Sequence, residues 1–362
     1  MTYVGVDLHK RDFTVCYRRG EDDQVTRKYE NSASGLASFL KTVRCVDKVA
    51  VEAMGISRRF VKAVAPAVHE VVYVDAARNT LVSRSIKKTD ANDAALLAFG
   101  LEKGVLPRAR LRSEASQQVR SILAARELLV SMRVRVMNQL NVIAARNGFI
   151  FPPAKVRHKI WRDRVDLETF EFGDRAAWYA LNNQMDDLRR DILSLEKEAS
   201  QGIQAFHGYE EVSALPGFGP ITVATILSYI DNIDDFPNSK SLVAYFGIAP
   251  RTRISAGEPI PNKKFGRFRS GAITRTGDSR ARAALVMAVN RVLCENESLR
   301  AFYDRIKGRK GYRKARTAAA RKLLCLVYYI LKNGYRRLDF AAVKFNGPFE
   351  RQLCFAQELP SA

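Results

Sequence analysis

The alternation of apolar and polar positions predicts three short strands between residues 3 and 30. "YVGVDL" and "FTVCYRR" are apolar runs separated by the turn-like "HKRD", and "QVTRKYE" follows the polar tip "GEDD". "SGLASFLKTV" then switches to helical spacing, with Ser34 as a candidate cap. The apolar run "DKVAVEA" reads as a buried strand, "SRRFVKAVAPAV" as a helix and "HEVVYVDA" as another strand. A helix in "KKTDANDAALLAF" closes the region, with Thr89 at its N-cap. A meander followed by alternating helix and strand is the order of a ribonuclease-H-like α/β sheet, although other α/β layouts open in the same way.

Helical periodicity dominates from Ser113 onward. Val119, Ile122, Leu123, Leu129, Val130, Met137 and Leu140 line one stripe as far as Asn147, with Arg120, Arg126, Arg133 and Arg135 around it. "NGFIFPPAKV" breaks this helix, and a second long one is predicted from Asp174 to Ile203. Such a pair predicts an antiparallel or intermolecular coiled-coil arm, or simply a helical spacer. In "VSALPGFGPITVATILSYI" the "PGFGP" turn has the form of a helix-hairpin-helix. There Gly217 and Gly219 would let backbone N–H groups approach a phosphate, whereas plain helix packing would need no ligand. Residues 250–277 read as a basic loop with short strands, followed by helices near 279–294 and 314–333. The expected domains are 1–110 (α/β, catalytic), 111–207 (helical), 208–340 (mainly α) and a tail, 341–362.

Composition narrows the class. A chain of 362 residues with 47% apolar content can build about two cored domains. No apolar run reaches the ~18 residues of a membrane span, and no leader is expected because the first residues enter a strand pattern directly. The cysteines number five and lack C-x-x-C spacing, which argues against zinc or a disulfide framework and suits a cytoplasmic protein. Charge carries more information. Between Arg251 and Arg337 there are 23 basic and 5 acidic residues, so most of the net charge of +22 lies in that stretch. So concentrated a positive field points to a polyanion, and to nucleic acid first. A binding protein with no chemistry of its own would share this signature.

Four carboxylates argue for chemistry. Asp7 lies on the first strand and Glu52 at the end of the fourth, and these strands are neighbours in a ribonuclease-H-like sheet. Asp90 and Asp93 share one face of a helix's first turn. Each acid alone has an ordinary explanation, since acids in a first turn complement the helix dipole. Together they form an oxygen-rich set suited to Mg²⁺ or Mn²⁺. Two such ions ~3.5–4 Å apart clamp the attacking and leaving oxygens of a phosphodiester.

"GVDLHK", "VEAMG" and "KKTDANDA" resemble the D–E–D-x-x-D pattern of the DEDD transposases of the IS110 insertion-sequence family, relatives of the Piv-type DNA invertases. "LPGFGPITVATILSYI", "LVAYFGIAPRTRISAG" and "GAITRTGDSRARAALVMA" resemble the family's C-terminal domain. The likeness runs in order along nearly the whole chain. It departs at "EAMG", where "EATG" is usual, and at "ISAG", which keeps one serine five residues after the proline of "GIAP". The resemblance implies a RuvC-like domain with Asp7, Glu52, Asp90 and Asp93 as ligands of two Mg²⁺ or Mn²⁺ ions. It also implies that Ser255 is the nucleophile that becomes joined to DNA. Arg251, Arg253, Arg269 and Arg275 are candidates to hold the scissile phosphate, and Lys263, Lys264, Arg267 and Arg280 extend the basic set. The implied partners are donor and target DNA, a non-coding bridge RNA and further copies of the chain in a homodimer or homotetramer. The implied setting is a prokaryotic nucleoid, with no membrane. The rival enzyme is a RuvC-like structure-selective nuclease that uses metal-activated water and not Ser255.

Overall fold

The computed structural model describes residues 1–21, 23–76, 78–83, 89–152, 155–250, 254–255, 258–259, 273–333 and 339–345. The chain divides into two units, Met1–Arg112 and Ser113–Ala362. In the first, β1 (Tyr3–Leu8), β2 (Asp12–Arg18) and β3 (Gln24–Glu30) form an antiparallel meander. β4 (Lys48–Glu52) pairs in parallel with the other side of β1, and β5 (Glu70–Val74) pairs in parallel with β4. The sheet order is therefore β3-β2-β1-β4-β5. β1 and β4 are central and covered on both faces, which explains the apolar runs at residues 3–6 and 49–51. β3 is a solvent-facing edge whose polar side chains disfavour further pairing.

Alternation along the strands assigns the faces. Val4, Val6, Leu8, Val49 and Val51 pack in one core with residues of α1 (Ala33–Leu40) and α2 (Ser57–Val64). Ala50 packs on the opposite face with Leu97 and Leu101 of α4 (Asp90–Glu102) and with Val82 of the short α3 (Thr80–Ser83). Gly5 shares that face, because a Cβ there would lie 2.0 Å from the Ala94 carbonyl oxygen. Asp7 and Glu52, two residues beyond Gly5 and Ala50, thus point to the α4 side of the sheet. The cap of α1 is Ser32, whose hydroxyl accepts the Gly35 N–H; Ser34, the expected cap, instead lies inside the first turn.

In the second unit α5 (Glu114–Arg146) and α7 (Phe172–Gly202) run antiparallel, with the short α6 (Lys159–Arg162) in their connection. The register is fixed by Arg126 to Glu196 at 2.6 Å and Arg146 to Asp174 at 2.7 Å. At the tip, Leu140, Ile143, Trp178 and Met185 share a small core, beside which the buried Arg162 binds Asp186 and Asn182. The remaining elements are α8 (Tyr209–Ser213), α9 (Pro220–Ile230), α10 (Ser239–Tyr245), the two-residue strands β6 (Ile254–Ser255) and β7 (Glu258–Pro259), α11 (Ser279–Glu295), α12 (Glu297–Lys310) and α13 (Tyr312–Asn333). The helices among them share one core around α13, which buries Leu323, Leu324, Leu326 and Val327 completely.

Two of these helices are not among those expected above. α10 is only seven residues long and begins at an Asn238 cap. α12 carries Leu299, Phe302, Tyr303 and Ile306 at helical spacing, and Phe302 and Tyr303 pack against the core beside the buried Leu299, so its stripe was open to reading. Its start is set by Asn296, 1% exposed, whose side chain caps the Leu299 N–H and donates to the carbonyls of Phe340 and Val343. Among the described residues no helix is long and apolar enough to cross a membrane.

Candidate active site

Asp7 sits near the carboxyl end of β1, facing α4. Thr89 starts that helix by accepting the Asn92 N–H at 3.2 Å, which puts Asp90 and Asp93 in the first turn. The imidazole of His9 lies between the two elements, with Nε2 3.1 Å from Asp7 and 3.4 Å from Asp90. One ligand atom from each of Asp7, His9 and Asp90 fits within 4.8 Å of the others. Burial pushes the Asp7 carboxyl above its ordinary value, His9 draws it down, and the charges of Asp90 and Asp93 raise it again.

Asp93 and Glu52 do not join that close group. Among the described residues Asp93 Oδ1 is buried without a hydrogen-bond partner, an expensive state for a carboxylate oxygen. Glu52 stands one strand over, level with Asp7 by continuation of the Val6–Val51 register. Its Oε1 accepts from Asn79 Nδ2 at 3.2 Å, and Asn79 is itself 1% exposed, with an Oδ1 that has no partner among the described residues. Carboxylates and an imidazole with orphaned oxygens suit a hard divalent cation, and His9 bridges two acids as a cation would. His9 and Asn79 are absent from the sequence reading. His9 had a legible signal, since i and i+2 around a strand end share a face; Asn79 had none. Beside Asp90 opens a cavity of about 540 Å³ with Thr14, Thr26, Arg27 and Lys28 in its wall.

In the second unit Ser255 lies on β6, in register with Glu258 of β7. The segment bearing it leaves and returns at one point. Pro250 bridges to Ile273, the Thr274 N–H donates to the Ala249 carbonyl, and the Arg275 N–H donates to the Gly247 carbonyl. Gly247 adopts φ 68°, and a Cβ there would meet the Thr276 carbonyl at 2.0 Å, so the closure requires glycine. Arg251, Arg253, Lys263, Lys264, Arg267 and Arg269 lie outside the described residues.

Arg275 is exposed, with φ 58°. Arg280 is engaged within the protein, binding Asp278 at 2.9 Å and Glu127 at 3.5 Å. Asp278 also meets Arg120 at 3.1 Å, and its N–H donates to the Tyr229 hydroxyl. Burial opposes ionisation of Asp278, yet the bonds to Arg280 and the charge of Arg120 hold its carboxyl below the ordinary value. Gly217 has φ 78° and packs against α11, where a Cβ would meet the Ala288 carbonyl at 2.9 Å. Gly219 caps α9 with open space where a Cβ would stand, and Pro220 follows as the first helical residue.

Comparison with known proteins agrees with this layout. The model of the IS110 DEDD transposases, described as "Transposase", matches residues 4–144, and that described as "Transposase IS116/IS110/IS902 family" matches residues 209–304. A protein of Sinorhizobium fredii, y4pF/y4sB, named as an inferred transposase, is 22% identical over 93% of this chain and 86% of its own length. The transposase for insertion sequence element IS1111A of Coxiella burnetii is 23% identical over 48% of each chain. An uncharacterized protein of insertion element IS110 from Streptomyces coelicolor is 24% identical over 39% of this chain and 33% of its own. The matches follow one another along the chain as the carboxylate-bearing sheet and the helical unit do, and the protein belongs to the IS110 family of transposases.

Proposed function

We propose that the protein cuts and rejoins DNA at a divalent-metal centre on Asp7, Asp90, Asp93 and Glu52, with His9 as an additional ligand and Ser255 as the nucleophile. The observation that carries the reading is the meeting of Asp7, His9 and Asp90 beside the orphaned oxygen of Asp93. A bound Mg²⁺ or Mn²⁺ pair would supply Lewis acidity at the phosphoryl oxygens. The protein's own groups do the rest. Asn79 orients Glu52, and the closed stem at Gly247 and Pro250 presents the Ser255 segment. Ser255 Oγ forms a bond to phosphorus as one sugar oxygen leaves. The serine proton passes to a carboxylate base, and the leaving oxygen takes up a proton as an alcohol. Rejoining runs the same step in reverse with a new sugar hydroxyl, so the phosphodiester energy is conserved.

The α5–α7 hairpin serves as a coiled-coil arm joining copies in a homodimer or homotetramer, and the α8–α9 turn acts as a helix-hairpin-helix-like contact to phosphate. A non-coding bridge RNA selects donor and target DNA by pairing, while the basic second unit grips backbones. The deciding experiment traps the protein on a nicked suicide DNA. Asp7→Asn should abolish cleavage, and Ser255→Ala should abolish both cleavage and the protein–DNA adduct while binding persists. Cleavage without any adduct would replace the serine reading with the metal-activated-water nuclease.

A further inference from the structure

The carboxyl ends of β1 and β4, which bear Asp7 and Glu52, also lead into a second feature. Three residues beyond each acid, Lys10 and Gly55 enter the wall of a cavity of about 470 Å³ on the α1–α2 side of the sheet. Among the described residues its lining holds three cations, Lys10, Arg58 and Arg59, and no carboxylate. Arg58 donates to the Arg112 carbonyl at 3.0 Å, whereas among the described residues neither Lys10 nor Arg59 has an acidic partner. The Lys10 turn is held in place, because the Asn31 side chain donates to the His9 carbonyl at 2.8 Å and the Asn31 N–H to that of Arg11. The same lining includes the apolar side chains of Leu36, Ile56 and Phe60.

A lining that combines cations with apolar side chains matches a nucleotide, whose phosphate is charged and whose base has flat faces that stack on apolar surface. The volume falls within the roughly 300–1,000 Å³ of small-molecule sites. In open α/β sheets ligands bind outside the carboxyl ends of parallel strands, which is where this cavity and the carboxylates both stand. We propose that the cavity seats one unpaired nucleotide of the DNA strand being cut, next to the phosphate held at the carboxylates. Lys10 and Arg59 hold its phosphate, and its base lies against Leu36 and Ile56. The proposal rests on reading the Asp7 centre as the cleavage site, and it adds a strand-separating role. A base held here cannot remain paired.

The test is photo-crosslinking of the full chain to single-stranded DNA carrying one 5-iododeoxyuridine, with the labelled peptides mapped by mass spectrometry. Crosslinks are expected in the peptide spanning Ile56 to Phe60 as well as in the basic second unit. The Lys10→Ala/Arg59→Ala variant should lower the first at least tenfold, with the second and the melting temperature unchanged. Lys10→Arg/Arg59→Lys should restore them. Undiminished crosslinking in the alanine variant, crosslinks confined to the second unit, or labelling of this peptide only by 5-iodouridine RNA would each overturn the proposal. An absent pocket crosslink with cleavage still abolished by Asp7→Asn refutes the pocket alone. A pocket crosslink with normal cleavage by Asp7→Asn refutes the carboxylate reading instead.

Discussion

Gly5→Ala tests how the sheet positions the acidic residues. The added Cβ would lie 2.0 Å from the Ala94 carbonyl oxygen and 2.4 Å from the Ala98 nitrogen, against 3.4–4 Å for ordinary contact. Both are backbone atoms of α4, so no side chain can rotate away. The helix must retreat from β1 by roughly 1 Å or more, at an overpacking cost of about 1–3 kcal/mol. In a unit of this size that lowers the melting temperature by several degrees, at about 4–8 °C per kcal/mol. The chemical effect is larger. Ala94 follows Asp93 directly, so the retreat carries Asp90 and Asp93 away from Asp7, and a misplacement of ~1 Å costs about 10²-fold in rate. Calorimetry together with a metal-dependent strand-cleavage assay measures both effects. Gly173→Ala, at a helical position with nothing within 4 Å, is the control and should leave both near wild type. Wild-type melting and cleavage in Gly5→Ala would show that the β1–α4 spacing does not set the geometry of the acids.

Other outcomes follow from the same geometry. Asn79→Ala should leave the fold intact but weaken Mn²⁺ binding about 10–100-fold through a misdirected Glu52; unchanged binding by electron paramagnetic resonance would remove Asn79 from the site. Because burial raises the Asp7 carboxyl first and Asp90 and Asp93 raise it further, protons compete with metal from above the ordinary aspartate range. Metal affinity should therefore fall as pH is lowered through that raised value, and a pH-independent titration by calorimetry would contradict the assignment. Arg309, Lys310, Arg313 and Lys314 are exposed around the α12–α13 junction. Replacing all four by Ala should lower the slope of log affinity against log salt by up to about 0.9 for each phosphate no longer neutralised. An unchanged slope would exclude this surface from DNA binding.

Much of the first unit was legible because its signals are local. The apolar runs of β1 and β4, the Thr89 cap and the Asp90–Asp93 spacing each lie within a few residues, and they carry the four acids Asp7, Glu52, Asp90 and Asp93. The features that escaped are those created by approach in space. Asn79 reaches Glu52 from a loop with no pattern of its own, and Gly5 looks like any strand glycine until α4 lies against it. The start of α12 is likewise fixed in space, by the bonds of Asn296 to Phe340 and Val343, although its stripe of Leu299, Phe302, Tyr303 and Ile306 was open to reading. Arg280, read as a contact for nucleic acid, is bound to Asp278 and Glu127, and a basic residue's internal partner cannot be read from its neighbours in sequence.

The two arms of the long hairpin pair in a constant reverse register, with Val119 beside Gly202, Arg126 beside Glu196 and Arg146 beside Asp174. Its core is split, with one cluster at the tip and Val119, Leu123, Ala199 and Ile203 joining the main core at the base. Length between the two is consequently a free variable. Removing or adding seven residues in both arms, at matched heights, would keep each face in phase and change the reach by ~10 Å. The same change in one arm alone would throw every pairing beyond it out of step. Related chains should therefore differ here by matched insertions in the two arms, as an adjustable boom changes reach without altering its hinge or its head.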